Sequence, residues 1–355
     1  MRRVLSAFTN ASSLLVLGGV LAAALALWVT DPIVLSHLRV AQFDQFQRWQ
    51  PRQAGPDVVR VVDVDEASLA AYGQWPWPRT RLMELVQRLQ EAGVRAIAFD
   101  VLLAEPDRTA PQAMAKLWQS APANAVLQTL PDPDLALAQA LSGAGVVLGS
   151  SLSQSAAPHL DTDRAHQPAF PFRVVSTGAQ PAKALEFASA VWPLPLLSAQ
   201  ADGLGAMNFT ADADGVLRRV PLMFRLNGQW VPSLSAETLR VAQGARNYLV
   251  RSNEAGVQEV RVGALTVPTT AQGEIWLDFG QQLPGLLVPA AQVLSGQLAT
   301  DQWKGKVVVI GSTAAGLMDV RSSPLGHLMP GVQAQAMALS QMLSGQHLLR
   351  PAWAR

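Results

Sequence analysis

The 355-residue chain has no cysteine at all and little charge, with charged residues at 15% of the total. The first absence excludes a disulfide scaffold, thiolate zinc or iron–sulfur ligation and a cysteine nucleophile. The second falls short of the roughly 25% usual for soluble domains, so part of the chain is expected outside water. Basic and acidic residues nearly cancel, 27 against 26 for a net charge of +1. Nucleic acid is therefore not expected as a partner, because phosphate binding needs a concentrated basic face. Also missing are a G-x-S-x-G elbow, a Walker A loop and a dinucleotide fingerprint. None of the five histidines, at 37, 159, 166, 327 and 347, falls in a recognisable motif. No cofactor, metal or catalytic residue is expected.

What is present begins with an uncharged run from Val4 to Thr30, preceded by Arg2 and Arg3 and followed by Asp31 and Pro32. Its core is long enough to cross a hydrocarbon layer of about 30 Å as a helix. The positive flank predicts residues 1–10 in the cytoplasm, a span over 11–30 with Trp28 at the far interface, and the rest outside. A cleaved signal peptide is the competing reading, with Ala24 and Ala26 offering a small-residue site. Either way residues 31–355 are exported, and the inner membrane of a bacterial cell is the expected location.

Residues 33–53 show mostly helical apolar spacing and predict a juxtamembrane helix ended by Gly55 and Pro56. A short β-branched run follows at 58–64. An amphipathic stretch comes next, with Leu82, Leu85, Val86 and Leu89 on one stripe and Gly93 as its stop, and a second buried strand lies at 96–103. This is a β-α-β unit, which demands a parallel sheet. A helix at 134–142, strand 146–150, helix 233–242, strand 306–313 and helix 332–343 continue the theme, with Pro289–Leu294 as a short helix. Residues 151–190 read as a long loop with one short strand pair. Asn227-Gly228 is a hairpin signal. Asp212-Ala213-Asp214-Gly215 lacks the later ligands of a calcium loop and reads as a turn. Arg218 and Arg219, as strand neighbours, are expected on opposite faces. The fold class is α/β: a mixed sheet with a parallel β-α-β core plus antiparallel hairpins, preceded by one transmembrane helix.

Candidate chemistry collects at strand ends, where open parallel sheets form their ligand crevice. Strand 58–64 ends in Asp63 and Asp65, strand 96–103 carries Asp100, and strand 306–313 leads into Thr313 and Asp319. Clustered carboxylates hold a cation or raise one another's pKa. The segment Trp75-Pro76-Trp77-Pro78-Arg79 adds two aromatic walls and an arginine at a helix start, where a cation is disfavoured by the dipole. Arg79 therefore calls for a nearby carboxylate or a ligand anion, with Asp63, Asp65 and Asp100 as the candidate carboxylates. The expected ligand-binding set is Asp63, Asp65, Trp75, Trp77, Arg79, Asp100, Thr313 and Asp319.

Three blocks together, VVDVDEASLAAYGQWPWPR with its continuation to Asp107, GAMNFTADADGVLRRVPL, and KGKVVVIGSTAAGLMDVRSSPLGHLMPG through Leu349-Arg350-Pro351, resemble the type 2 CHASE domain. The resemblance covers residues 31–351, leaving 352–355 as a tail. It implies an exported sensory module, itself not an enzyme, held by an N-terminal span and serving a nucleotide cyclase, histidine kinase or Ser/Thr kinase output. Later spans and output are expected beyond Arg355 or in a separate partner. An unknown small-molecule or ion ligand and a homodimer are the expected partners, along with the membrane. Two alternatives remain: a haloacid-dehalogenase-like phosphatase with Asp63 as nucleophile, since VVDVD loosely matches a D-x-D start, and a structural module that dimerises receptors.

Overall fold

A computed structural model describes residues 11–30, 33–51, 57–117, 124–155, 170, 172–178, 183–279, 285–317 and 319–349. The chain divides into two compact units, the N-terminal helical stretch up to Gln50 and a body over Pro51–Leu349. In the first unit, helix Ala11–Thr30 is followed by helix Ile33–Trp49. Among the described residues no helix is long and apolar enough to cross a membrane. In Ala11–Thr30 the longest unbroken run of described side chains is 14–23, half of the helix. Trp28's side chain, Gly55 and Pro56, and His159 and His166 lie outside what is described.

The body is built on a parallel sheet of six strands: β1 (Val59–Asp63), β2 (Ala96–Leu102), β3 (Val146–Ser153), β4 (Gly203–Ala206), β5 (Leu287–Pro289) and β6 (Val307–Gly311). Their spatial order is β5-β1-β6-β2-β3-β4. The far half of β3 also pairs antiparallel with Ser189–Val191. The β-branched runs form strands because both sheet faces are buried, and alternate residues feed different cores. Val61, Ala98 and Val309 face one core together with helices Leu234–Ala242 and Gly331–Ser344. Val62, Phe99 and Ile310 face the other, with helices Arg79–Glu91 and Pro133–Leu141. The stripe Leu82, Leu85, Val86 and Leu89 is wholly buried there. At about 1.5–3 kcal/mol per side chain, burying these four is the main stabilisation of that helix.

The β-α-β expectation holds with one change. β1 and β2 belong to one parallel sheet but are not neighbours, because β6 inserts between them from 200 residues later in the chain. Apart from the β3 pairing with Ser189–Val191, antiparallel pairing appears outside the central sheet. Strands Asn247–Asn253, Gly256–Val262 and Leu265–Pro268 form a meander, and Met223–Leu226 pairs with Gln229–Pro232 through Asn227-Gly228. Asn227 (φ 48°) and Gly228 (φ 80°) both sit in the left-handed region, as a tight hairpin turn demands.

Two expectations need correction. The segment 151–190 holds more than a loop with one strand pair: residues 151–153 of β3 pair with Ser189–Val191, and Arg173–Gly178 and Glu186–Phe187 are further strands that pair with Asn247–Asn253 and Met223–Leu226, both distant in sequence. Their stabilising partners were invisible to local periodicity. Arg218 and Arg219 do not diverge either. Arg218 precedes its strand, Arg219–Pro221, so alternation does not separate the two side chains, and both reach Asp212. Arg218 also binds Asp214, and Arg219 binds Glu274. Asp212-Ala213-Asp214-Gly215 is a turn, with Gly215 at φ 78° and its N–H donating to Asp212 O at 2.8 Å.

Candidate functional site

The carboxyl ends of β1, β6 and β2 lie side by side. Asp63 is opposite Gly311, and Phe99 is opposite Ile310, so Asp100 follows one residue on. On the other side of β2 the register slips between Phe99 and Leu102, so Asp100 and Val101 have no partners on β3. Such a bulge re-aims side chains at the end of a strand. Gly311, on the strand between the two aspartates, has no room for a side chain. A Cβ there would stand 2.6 Å from the Val332 side chain and 3.5 Å from Asp100 Cβ.

This arrangement opens a crevice of about 370 Å3, lined in part by Trp75, Asp100, Met207, Asp319 and Val332. That size is within the range of small-molecule sites. Of the expected set, then, Trp75, Asp100 and Asp319 share one cavity. Asp319 is held: its carboxylate pairs with Arg321, and its main-chain oxygen accepts the Gly331 N–H at 2.7 Å, at the start of helix Gly331–Ser344. The Arg321 guanidinium in turn lies over the Phe209 ring at 5.9 Å. Asp100 is half-buried and accepts no hydrogen bond from any described residue. Burial, then the nearby Asp319 charge, push its carboxyl up to about 7, with Arg321 pulling the other way.

Asp63 and Thr313 form a separate clasp beside the crevice. Thr313 donates its N–H to Asp63 Oδ1 at 2.8 Å and its hydroxyl to Oδ2 at 2.6 Å. Ser312 donates its hydroxyl to Val64 O at 2.7 Å. Asp63 is 5% exposed. Burial raises its pKa against the pull of these two bonds, and Asp65 adds to the rise. With both oxygens engaged by one threonine, the carboxylate holds the loop after β6 and is not presented as a nucleophile. Asp65 caps helix Glu66–Tyr72, where Oδ1 accepts the Ser68 N–H at 2.8 Å.

Arg79 is not joined to Asp63, Asp65 or Asp100. Its Nε donates to Asp134 Oδ1 at 2.9 Å, its Nη2 to Glu105 O at 2.6 Å, and its main-chain N–H to Asp107 Oδ2 at 2.7 Å. Pro78 offers no side-chain cap to helix Arg79–Glu91, so Asp107 caps it from 28 residues away, and two carboxylates offset both the guanidinium and the helix dipole. Trp77 is buried with its indole N–H on Gly73 O at 2.8 Å, and Trp75 packs on it at 5.9 Å between centroids. Trp77 and Arg79 line a second, smaller cavity of about 260 Å3 that shares only Trp75 and the β2 residues Val101 and Leu102 with the first.

Sequence reasoning missed Asp107 and Asp134 as the partners of Arg79, and Met207, Arg321 and Val332 around the crevice. A signal existed for Asp134: Asp132-Pro133 is a helix start, which puts an acid in the first turn beside any nearby cation. Among the described residues no group of three or more potential metal ligands converges. His37 and His327 are exposed, and His347 is half-buried with its pKa lowered by burial.

The family model described as CHASE2 domain matches residues 19–355. No curated protein matches the chain, and no solved structure does.

Proposed function

The chain belongs to the CHASE2 domain family, a family of sensory domains, and on that premise we propose that it is a membrane-anchored sensor whose body faces the cell exterior or periplasm. Helix Ala11–Thr30 has 20 residues, none of them charged. At 1.5 Å per residue it reaches about 30 Å, the thickness of a hydrocarbon core. Arg2 and Arg3 favour the cytoplasm for the N-terminus. The helix Ile33–Trp49 follows the anchor in sequence, and a homodimer is the partner state proposed for signalling. The output it serves is a cyclase or kinase domain.

The ligand site is the crevice at the ends of β1, β6 and β2. The observation that carries this reading is Asp100: an ionisable group without a hydrogen-bond partner, at the mouth of a parallel sheet, in a cavity of small-molecule size. A ligand there contacts Asp319 and Val332, on either side of the start of helix Gly331–Ser344, and biases the domain by its differential affinity for two arrangements of that helix.

Topology is tested by fusing reporters after Thr30 and after Leu349 and assaying protease access in spheroplasts. Protection of the body in intact spheroplasts contradicts the orientation. The site is tested by thermal shift of the full chain in nanodiscs against metabolites and cations, in parallel with Asp100→Asn. Ligand shifts that survive in that variant contradict the assignment.

A further inference from the structure

The crevice has a sign. Among the described residues its lining contains two carboxylates, Asp100 and Asp319, and no basic side chain. The two are not equivalent. Asp319 has its counter-charge in Arg321, and it sits at the start of a 14-residue helix whose positive end faces it. Asp100 has no cation within salt-bridge reach and no donor. Arg321 acts on it only at a distance, against the repulsion of Asp319. From β1 the nearest charge is Asp63, and its oxygens are engaged by Thr313. From β6 the element facing Asp100 is Gly311, which has no side chain. The uncompensated charge of the crevice is therefore one carboxylate.

The remaining walls are hydrocarbon and aromatic. Leu102, Met207, Leu317 and Val332 supply aliphatic and thioether surface, and Trp75 supplies an indole face that is half-buried. A carboxylate beside an indole within an apolar cleft suits one ligand chemistry, a small organic cation: the ammonium meets the carboxylate and the ring quadrupole, and the carbon body displaces water from the apolar wall. An anion would meet two carboxylates. A neutral alcohol can donate one hydrogen bond to Asp100 but leaves its charge without a counter-charge, where burial already disfavours the ionised form.

We propose that the crevice binds small alkylammonium-type cations, with the charged nitrogen on Asp100 and the hydrocarbon against Trp75 and Met207. This rests on the reading of the crevice as the sensing site and gives it a ligand class. It also sets a pH dependence, since a cation binds the ionised carboxylate. With Asp100 titrating at about 7, the competent fraction changes about tenfold between pH 6 and pH 8, and so does the apparent affinity.

The test uses the full chain in nanodiscs and three probes of one size: n-butylammonium, n-butanol and butyrate. Binding is read by calorimetry and by thermal shift. The proposal expects n-butylammonium to bind, at about tenfold lower affinity at pH 6 than at pH 8, and to lose binding in Asp100→Asn. Butanol and butyrate give no comparable signal. Trp75→Leu weakens the cation several-fold without reversing the preference. Equal binding of butanol, stronger binding of butyrate, or ammonium binding that survives in Asp100→Asn overturns the cation assignment. In the first two cases, sensitivity to Trp75→Leu leaves the crevice reading standing. If no probe of any charge binds, both fall.

Discussion

Asp63 and Asp100 stand at the ends of two parallel strands, flank the same strand β6 and look alike in the sequence, yet they differ in what they bond. Asp63 has each oxygen engaged by Thr313 and is almost fully buried. Asp100 has a bulge in its own strand, a glycine beside it and no donor. The same contrast separates Arg79 from Arg321. The first is enclosed by Asp134, Asp107 and Glu105, while the second keeps a buried Nε with no partner. The lesson is that position at a strand end does not make a ligand residue. A group already paired is part of the scaffold. A group left unpaired beside a cavity is available to a ligand, and the domain carries the cost of keeping it so.

The comparison breaks most sharply at the scaffold end. Arg79→Ala keeps the main-chain bond to Asp107 but leaves Asp134 buried without its cation, so a loss of about 3–5 kcal/mol is expected in urea unfolding. A loss under about 1 kcal/mol would show that the cluster is not held as described. Thr313→Val deletes the hydroxyl that Asp63 accepts while keeping the main-chain bond, and a loss of about 1–2 kcal/mol follows.

The ligand end of the comparison is read by pH. An aspartate whose folded pKa stands above its unfolded value binds more protons when folded, so stability falls as pH rises from about 4 to 7 and levels off above. With Asp100 at about 7, Asp100→Asn removes that slope. The variant therefore gains on the parent protein by about 2.5–3 kcal/mol between pH 5 and pH 8. Parallel pH–stability curves for the two proteins would contradict the raised pKa. The smallest effect sharpens the cause. Asp319→Asn removes the like charge that helps raise Asp100 and frees Arg321 to turn toward it. The Asp100 midpoint then moves down toward the ordinary carboxylate range, read from Trp75 fluorescence against pH, and an unchanged or higher midpoint contradicts the coupling.

The sequence showed the central sheet well because its strands are continuous β-branched runs and their helices carry clean stripes, such as Leu82, Leu85, Val86 and Leu89. Convergence of Asp63, Asp100 and the Ser312-Thr313 turn also followed from strand order, since carboxyl ends of parallel strands share one edge. Pairing did not follow. Whether Arg79 meets Asp100 or Asp134 depends on where the 103–110 turn folds back, which no local pattern encodes. Helix Glu66–Tyr72 was hidden because its cap, Asp65, read as part of an acidic cluster. Strand Arg173–Gly178 was hidden because it is an exposed edge whose only partner among the described residues lies some 70 residues on, so it lacks the inward-facing apolar alternation that marks a strand.

The measurement closest to the central claim is urea unfolding of a matched pair, Asp63→Ala and Asp100→Ala, in the full chain at pH 8. The account predicts that Asp63→Ala loses about 2–3 kcal/mol, because two donors of Thr313 are left unsatisfied, while Asp100→Ala is unchanged or more stable. Equal losses from the two substitutions would mean that Asp100 is scaffold as well, and would contradict the division between paired and available carboxylates.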